Sequence, residues 1–344
     1  MKHRIFLLFA FCTMISVTAE NKVISREYIS FEVPENAGSD KTIMRQGILV
    51  RRAGARATLL IVHGFMCDKY DIDFLSHLLG EHVVHAQPGS DEKDTVYRYN
   101  TFTIDLRAHG ENKQNQCCSF GKNEALDVRA AAHYLKSRAD LKEMPLGVYG
   151  FSMGAVSSIV AQSQEPLFDF GISDCPFDST ENIIARGLEH LKISLWGYEI
   201  PLPGRSLLHR YAYNPYVQSF LKLVFKAVSR MDSGNIAVCM APVNTVDAAK
   251  SITKPWLFIT CKNDEKAPVK AVTAVYNEAQ GFKRLVVTQG RRHFDSLFYN
   301  TISYVERIHK HIRLVLDGSY TKKPCQKITI EGEECNSKKG SELL

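Results

Sequence analysis

Short apolar runs recur along this 344-residue chain with helical patterns between them, and that alternation leaves few architectures open. Residues 57–62 (ATLLIV), 97–104, 146–149, 168–172, 255–260 (PWLFIT) and 284–287 have the length and apolar character of strands. Runs this continuous, without polar alternation, suit strands buried on both faces. Residues 71–79, 124–138, 155–162 and 269–279 have helical spacing. In 124–138 the positions Ala125, Val128, Ala131, Ala132 and Leu135 form one apolar face. The expected fold class is therefore α/β: a mostly parallel twisted sheet with helices on both faces. Residues 27–33 alternate, with Ile29, Phe31 and Val33 on one side, and residues 48–51 follow a polar turn. These two read as an antiparallel hairpin at the sheet edge. Residues 297–316 read as a terminal helix with Ile302, Val305, Ile308, Ile312 and Leu316 as its apolar positions.

One of these strands ends in chemistry. Residues 146–154 read LGVYGFSMG, so a G-x-S-x-G sequence falls where a strand passes into a helix. A sharp turn there needs small residues two positions either side of the serine, because larger side chains would meet the backbone. Gly150 and Gly154 satisfy that need and let Ser152 project its hydroxyl beside a helix N-terminus. A serine hydroxyl is a weak nucleophile until a histidine takes its proton, and a carboxylate must orient that histidine. Asp264 follows the PWLFIT run and His293 follows the last strand, in the order Ser, Asp, His. Carboxyl ends of parallel strands share one edge of a sheet, so the three can converge. Asp174, just after residues 168–172, is the alternative acid. The chain carries no metal-ligand cluster and no phosphate-cradling glycine loop, so neither a metal nor a cofactor is expected.

The rhythm breaks at residues 177–240. This stretch is aromatic-rich, and residues 216–231 have a broad apolar helical surface. We expect a helical cap insertion that roofs a pocket above Ser152, with the core formed by residues 20–176 and 241–317. Five basic residues and no acidic one lie between Arg205 and Arg230, which leaves contact with a membrane surface open. Residues 318–344 are polar and are expected to form a tail.

The amino end reads as a secretory leader. Lys2, His3 and Arg4 precede a run dominated by apolar residues, and Val17-Thr18-Ala19 offers small residues for cleavage. A retained anchor is the alternative, although the run is short for a span of about 20 apolar residues. With residues 1–19 removed, the loss of Lys2 and Arg4 lowers the formal charge of +6 to about +4, too mild for nucleic acid. An exported, periplasmic or secreted, product is expected. Of nine cysteines, eight lie beyond the leader, an even number that permits disulfides. Cys325 and Cys335 could close a small loop. Cys117 and Cys118 have different partners, or only one is bonded. Cys175 and Cys261 read equally as free packed thiols.

Taken together, His63-Gly64, Asp105-x-Arg107-x-His109-Gly110, the Gly150-to-Gly154 turn, Asp264 and His293 resemble the alpha/beta-hydrolase superfamily over residues 27–316. Ser119-Phe120-Gly121 with Glu124 and Asp127, then Asp174-Cys175-Pro176-Phe177, resemble its esterase-like and dienelactone-hydrolase-like members. The resemblance implies an oxyanion hole made by the backbone N–H groups of Phe65 and Met153, with Met66 as a second candidate. It implies structural roles for His63 and His109. Two departures stand out: Ala108 replaces a usual glycine, and Arg291 and Arg292 replace small residues beside His293. The implied activity is an exported serine hydrolase of a small-molecule or lipid-like carboxylic ester. Thioesterase and aminopeptidase-like activities are the alternatives, the latter needing a carboxylate such as Glu181, Glu189 or Glu199. A binding protein on the same fold is the third reading.

Overall fold

The computed structural model describes residues 23–86, 93–111, 116–189, 192–195, 198–201, 203–220, 236–322 and 327–330. The expected leader and the expected Cys325–Cys335 loop lie outside these residues. The strands are β1 (Val23–Pro34), β2 (Thr42–Arg52), β3 (Ala55–Val62), β4 (Glu81–Val84), β5 (Thr95–Ile104), β6 (Leu146–Phe151), β7 (Phe170–Asp174), β8 (Lys192–Leu195), β9 (Tyr198–Pro201), β10 (Trp256–Cys261), β11 (Lys283–Thr288) and β12 (Lys327–Ile330). The helices are α1 (Asp73–Gly80), α2 (Glu124–Ser137), α3 (Met153–Gln164), α4 (Thr180–Glu189), α5 (Arg205–Arg210), α6 (Thr245–Ala249), α7 (Val269–Glu278), α8 (Ser296–Tyr299) and α9 (Thr301–Leu316).

Among the described residues, ten strands form one sheet in the order β1-β2-β5-β3-β6-β7-β10-β11-β12, with β4 on β5. From β5 to β12 along that order every neighbour pair is parallel; β1, β2 and β4 run antiparallel to their partners. The central strands are buried on both faces, which is why they lack polar alternation. Leu60, Val62 and Val148 belong to one core with residues of α2, α3 and α7. Leu59, Ile61 and Tyr149 point the other way, into a second core with α1 and α9. The period of two along each strand thus divides a continuous apolar run between two cores. Helix α3 is buried throughout from Met153 to Gln162, so its amino end is held rigidly behind the strand edge.

The structure adds elements that the sequence expectation did not name. Within the expected tail, residues 327–330 add strand β12 to β11, with Ile328 and Ile330 packed against the first core. A four-residue strand, β4, pairs with β5. Within 177–240 the described part is not wholly helical, since β8 and β9 form an antiparallel hairpin between α4 and α5. The end of the expected cap also contacts the segment before α2. Cys118 bridges Val238, and Cys117 and Cys239 form a disulfide. Cys118 itself is a free, buried thiol.

Candidate active site

Strand β6 delivers Ser152 into a backbone conformation that an L-residue adopts reluctantly, with φ 52° and ψ −120°. Its N–H donates to the Asp174 carbonyl at 2.8 Å, which ties the turn to the neighbouring strand. A Cβ on Gly150 would lie 2.5 Å from the Gly154 carbonyl oxygen, and one on Gly154 would lie 2.4 Å from that of Val62. Both glycines are therefore required by close backbone approach.

His293, on the loop after β11, sits between the other two. Its Nδ1 is 2.8 Å from Asp264 Oδ2, and its Nε2 is 2.8 Å from Ser152 Oγ. With Nδ1–H donating to the carboxylate, Nε2 is left as the acceptor for the serine proton. Asp264 is buried, and its other oxygen accepts from the N–H groups of Lys266 and Ala267, each at 2.9 Å. Burial alone would raise this carboxyl. The hydrogen bond and charge of His293, the Ala267 N–H and the Cys175 thiol together hold it below the ordinary carboxylate range.

The structure does not bring Asp174 to His293. Its Oδ2 accepts from Tyr304 Oη at 2.7 Å and its Oδ1 from Cys175 Sγ at 3.1 Å. Complete burial pushes its carboxyl up to about 7, against the Tyr304 hydrogen bond. Glu265 is exposed, as are Arg291 and Arg292. Asp295 stands just before α8 but makes no side-chain cap hydrogen bond to it. Instead its carboxylate turns back to accept the Arg291 N–H at 2.8 Å, and Asn300 caps α9 through Ser303 N–H at 3.1 Å.

On the serine side, Met153 opens α3 and Phe65 lies in the loop after β3. The second oxyanion candidate, Met66, has φ 67° and donates its N–H to His109 Nε2 at 3.2 Å, so that donor is engaged. His109 Nδ1–H donates to the Arg107 carbonyl at 2.8 Å. His63 donates from Nδ1 to the Gly64 carbonyl at 2.7 Å and accepts the Leu106 N–H at 3.0 Å. Burial lowers His63 to about 3 and lowers His109 as well, so both are neutral braces between the β3 and β5 loops. Glu124, fully buried, accepts from Ser119 N, Ser119 Oγ and Gly121 N at 2.6–2.7 Å, fixing the Ser-Phe-Gly turn that places Phe120 4.7 Å from Phe65.

Two features escaped the sequence reading. Lys69, in the β3 loop, forms a buried ion pair with Asp105 at 2.7 Å, and the same carboxylate accepts the Lys69 N–H. Cys175 lies behind the triad: its Sγ, an Asp264 oxygen and a His293 ring nitrogen are all within 4.8 Å of one another. The signal for Cys175 was its place just after β7, the strand beside β10. A cavity of about 480 Å³ lies elsewhere, at the amino ends of β6, β7 and β10 beside Pro145, Phe170 and Pro255.

No family model matches the chain. It is 28% identical over 224 residues to the uncharacterized protein YqkD of Bacillus subtilis, a match spanning 64% of this chain and 64% of YqkD. Its structure is similar to the esterase Pf2001 of Pyrococcus furiosus, with a TM-score of 0.56, 22% identity and coverage of 84% and 93% of the two chains. It is also similar to the peroxisomal alpha-beta-hydrolase Lpx1 of Saccharomyces cerevisiae, with a TM-score of 0.57, 15% identity and coverage of 94% and 96%. The chain has the alpha/beta-hydrolase fold. In that fold the carboxyl edge of the parallel strands carries Ser152 after β6, Asp264 after β10 and His293 after β11. At these identities the likeness establishes the fold, and the chemistry must be argued from the site itself.

Proposed function

We propose that the chain is a serine hydrolase that cleaves a carboxylic ester through an acyl-enzyme. The observation that carries this reading is the hydrogen-bonded series Asp264–His293–Ser152, 2.8 Å at each link, with the serine on a strained turn at a helix start. His293 takes the Ser152 proton as Oγ attacks the carbonyl carbon. The Phe65 and Met153 N–H groups receive the oxyanion, and the amino end of α3 adds its dipole. His293 then gives the proton to the departing alcohol. A water, deprotonated by the same histidine, releases the acid and restores the serine. In this reading the inserted segment, residues 177–240, sets which ester is accepted. We further infer that the protein is exported, a reading supported by the leader-like amino end and by the Cys117–Cys239 disulfide.

A fluorophosphonate probe should label the protein and should fail on Ser152→Ala; labelling of the variant would overturn the assignment. Turnover of a chain-length series of aryl esters, set against aryl thioesters and aminoacyl amides, separates the ester reading from its two enzymatic alternatives. Faster cleavage of the aminoacyl amides would replace esterase by peptidase.

A further inference from the structure

The loops that present Asp264 and His293 are joined and carry a group of exposed cations. Lys262 N–H donates to the Thr288 carbonyl at 2.9 Å, and Asn263 Nδ2 reaches the Gly290 carbonyl at 3.5 Å. Lys262, Lys266, Arg291 and Arg292 are all exposed on this pair of loops. Among the described residues, Lys262, Lys266 and Arg292 form no ion pair. The Arg291 side chain is 82% exposed and only 3.6 Å from Asp295 at its nearest. Glu265 is the one exposed carboxylate among these cations.

The opposite side of Ser152 has the reverse sign. Among the described residues, the loops after β3 and β5 carry Asp68, Asp71 and Glu111; of the cations there, Lys69 is buried against Asp105, Arg107 is buried against Asp127, and Lys122 alone is exposed. The mouth is thus polarised, with its basic half at His293. That half has a chemical meaning. His293 Nε2 must hand its proton to the leaving oxygen, so the alcohol part of the ester has to lie within hydrogen-bond reach of His293. Arg292 is its chain neighbour, and Arg291 precedes it by two positions. A negative charge on the alcohol part would meet these cations, whereas one on the β3-loop side would meet carboxylates.

Resting on the esterase reading above, we propose that the natural substrates are esters whose alcohol part is anionic, carrying a carboxylate, sulfonate or phosphate group. Exposed cations of this kind attract weakly one by one, each worth up to about five-fold in kcat/KM. Together they also steer encounter.

The test uses two acetate esters of matched shape: 4-acetoxybenzenesulfonate, and its neutral N,N-dimethylsulfonamide counterpart. Each enzymatic rate is divided by that ester's alkaline hydrolysis rate to remove leaving-group acidity. A phenyl hemisuccinate and phenyl butyrate pair places the anion in the acyl part instead. The expected result is an anionic-to-neutral ratio in kcat/KM above about five for the sulfonate pair, and none for the hemisuccinate pair. Arg292→Gln and Lys262→Gln should each lower the ratio, chiefly through KM, and Arg292→Glu should bring it to unity or below. Raising ionic strength from about 0.01 M to about 1 M shortens the Debye length from ~30 to ~3 Å and should erase the preference. A ratio of one or less for the sulfonate pair overturns the inference. So does a preference for the hemisuccinate, or a ratio that Arg292→Glu leaves in place. Fluorophosphonate labelling tells the two failures apart. A protein that labels at Ser152 without the preference loses only the substrate class, and one that does not label loses the esterase reading.

Discussion

At the scale of single residues, Gly154 is as constrained as the serine it follows. Its Cα faces the β3 backbone so closely that an added Cβ would sit 2.4 Å from the Val62 oxygen and 2.5 Å from that of His63. Neither contact is the movable end of a side chain, so α3 would have to withdraw from β3. Gly154→Ala should cost about 1–3 kcal/mol in urea unfolding, the usual range for overpacking. It should also lower kcat, because the same shift separates Met153 from the Phe65 loop. At Gly38 the φ of 76° is strained for alanine, yet nothing lies within 4 Å of the added Cβ. There the stability change should come without a loss of activity. If Gly154→Ala keeps wild-type kcat, the proposed oxyanion geometry is wrong. Asp264→Asn tests the other end of the triad. The amide could present N–H to a histidine nitrogen that must itself donate, stabilising the wrong tautomer. A fall of about 10⁴ in kcat with little change in KM is expected. A fall of less than tenfold would show that another group orients His293.

Among elements, the Cys117–Cys239 cross-link is the feature most open to test. Cys117 precedes α2, Cys239 lies between α5 and α6, and 122 residues separate them. In the chain-entropy view, closing so long a loop stabilises the fold by up to about 4–5 kcal/mol. Cys239→Ser should lower the melting temperature, and reductant should lower that of the wild type but leave the variant unmoved. Equal melting temperatures for oxidised wild type and variant would show that the bond contributes nothing. Sequence could not choose between Cys117 and Cys118, because adjacent cysteines on an extended stretch point opposite ways and the partner strand is remote in the chain. The parallel sheet was legible, since burial on both faces writes itself as unbroken apolar runs such as 57–62. Strand β12 was not. Its K-I-T-I alternation is four residues long within a polar stretch, and it is a strand only because β11 offers an unpaired edge. The β8–β9 hairpin did leave a trace, two short runs around Trp196-Gly197, which the neighbouring helical pattern obscured. The positions of Ser152, Asp264 and His293 were readable because each follows a strand. The Cys175 thiol beside Asp264 was not, because that contact depends on the lateral order of β7 and β10.

For the whole molecule, the buried histidines set how the fold meets acid. His63, His309 and His311 are buried, and burial lowers each to about 3. In an unfolded chain each would titrate near 6.5. Between pH 6.5 and 3 the unfolded state therefore binds protons that the native state refuses, so stability falls as pH falls through that window. Asp174 works against this: held up to about 7, it takes a proton in the folded state before the unfolded chain does. Three groups outweigh one, and the urea midpoint should fall steadily from pH 6.5 toward pH 4. His311 isolates the effect. Neither ring nitrogen has a hydrogen-bond partner among the described residues, its ring stacks at 6.3 Å on Phe282, and Arg284 further disfavours its charge. His311→Leu, of similar volume, removes one refused proton and two unpaired polar atoms. It should flatten the dependence of unfolding free energy on pH by about 1.4 kcal/mol per unit between pH 4 and 6. It should also hold or raise stability at pH 7, since the lost groups were buried without partners. An unchanged slope in His311→Leu would mean that His311 is protonated in the native state, and that the acid sensitivity lies in the other histidines.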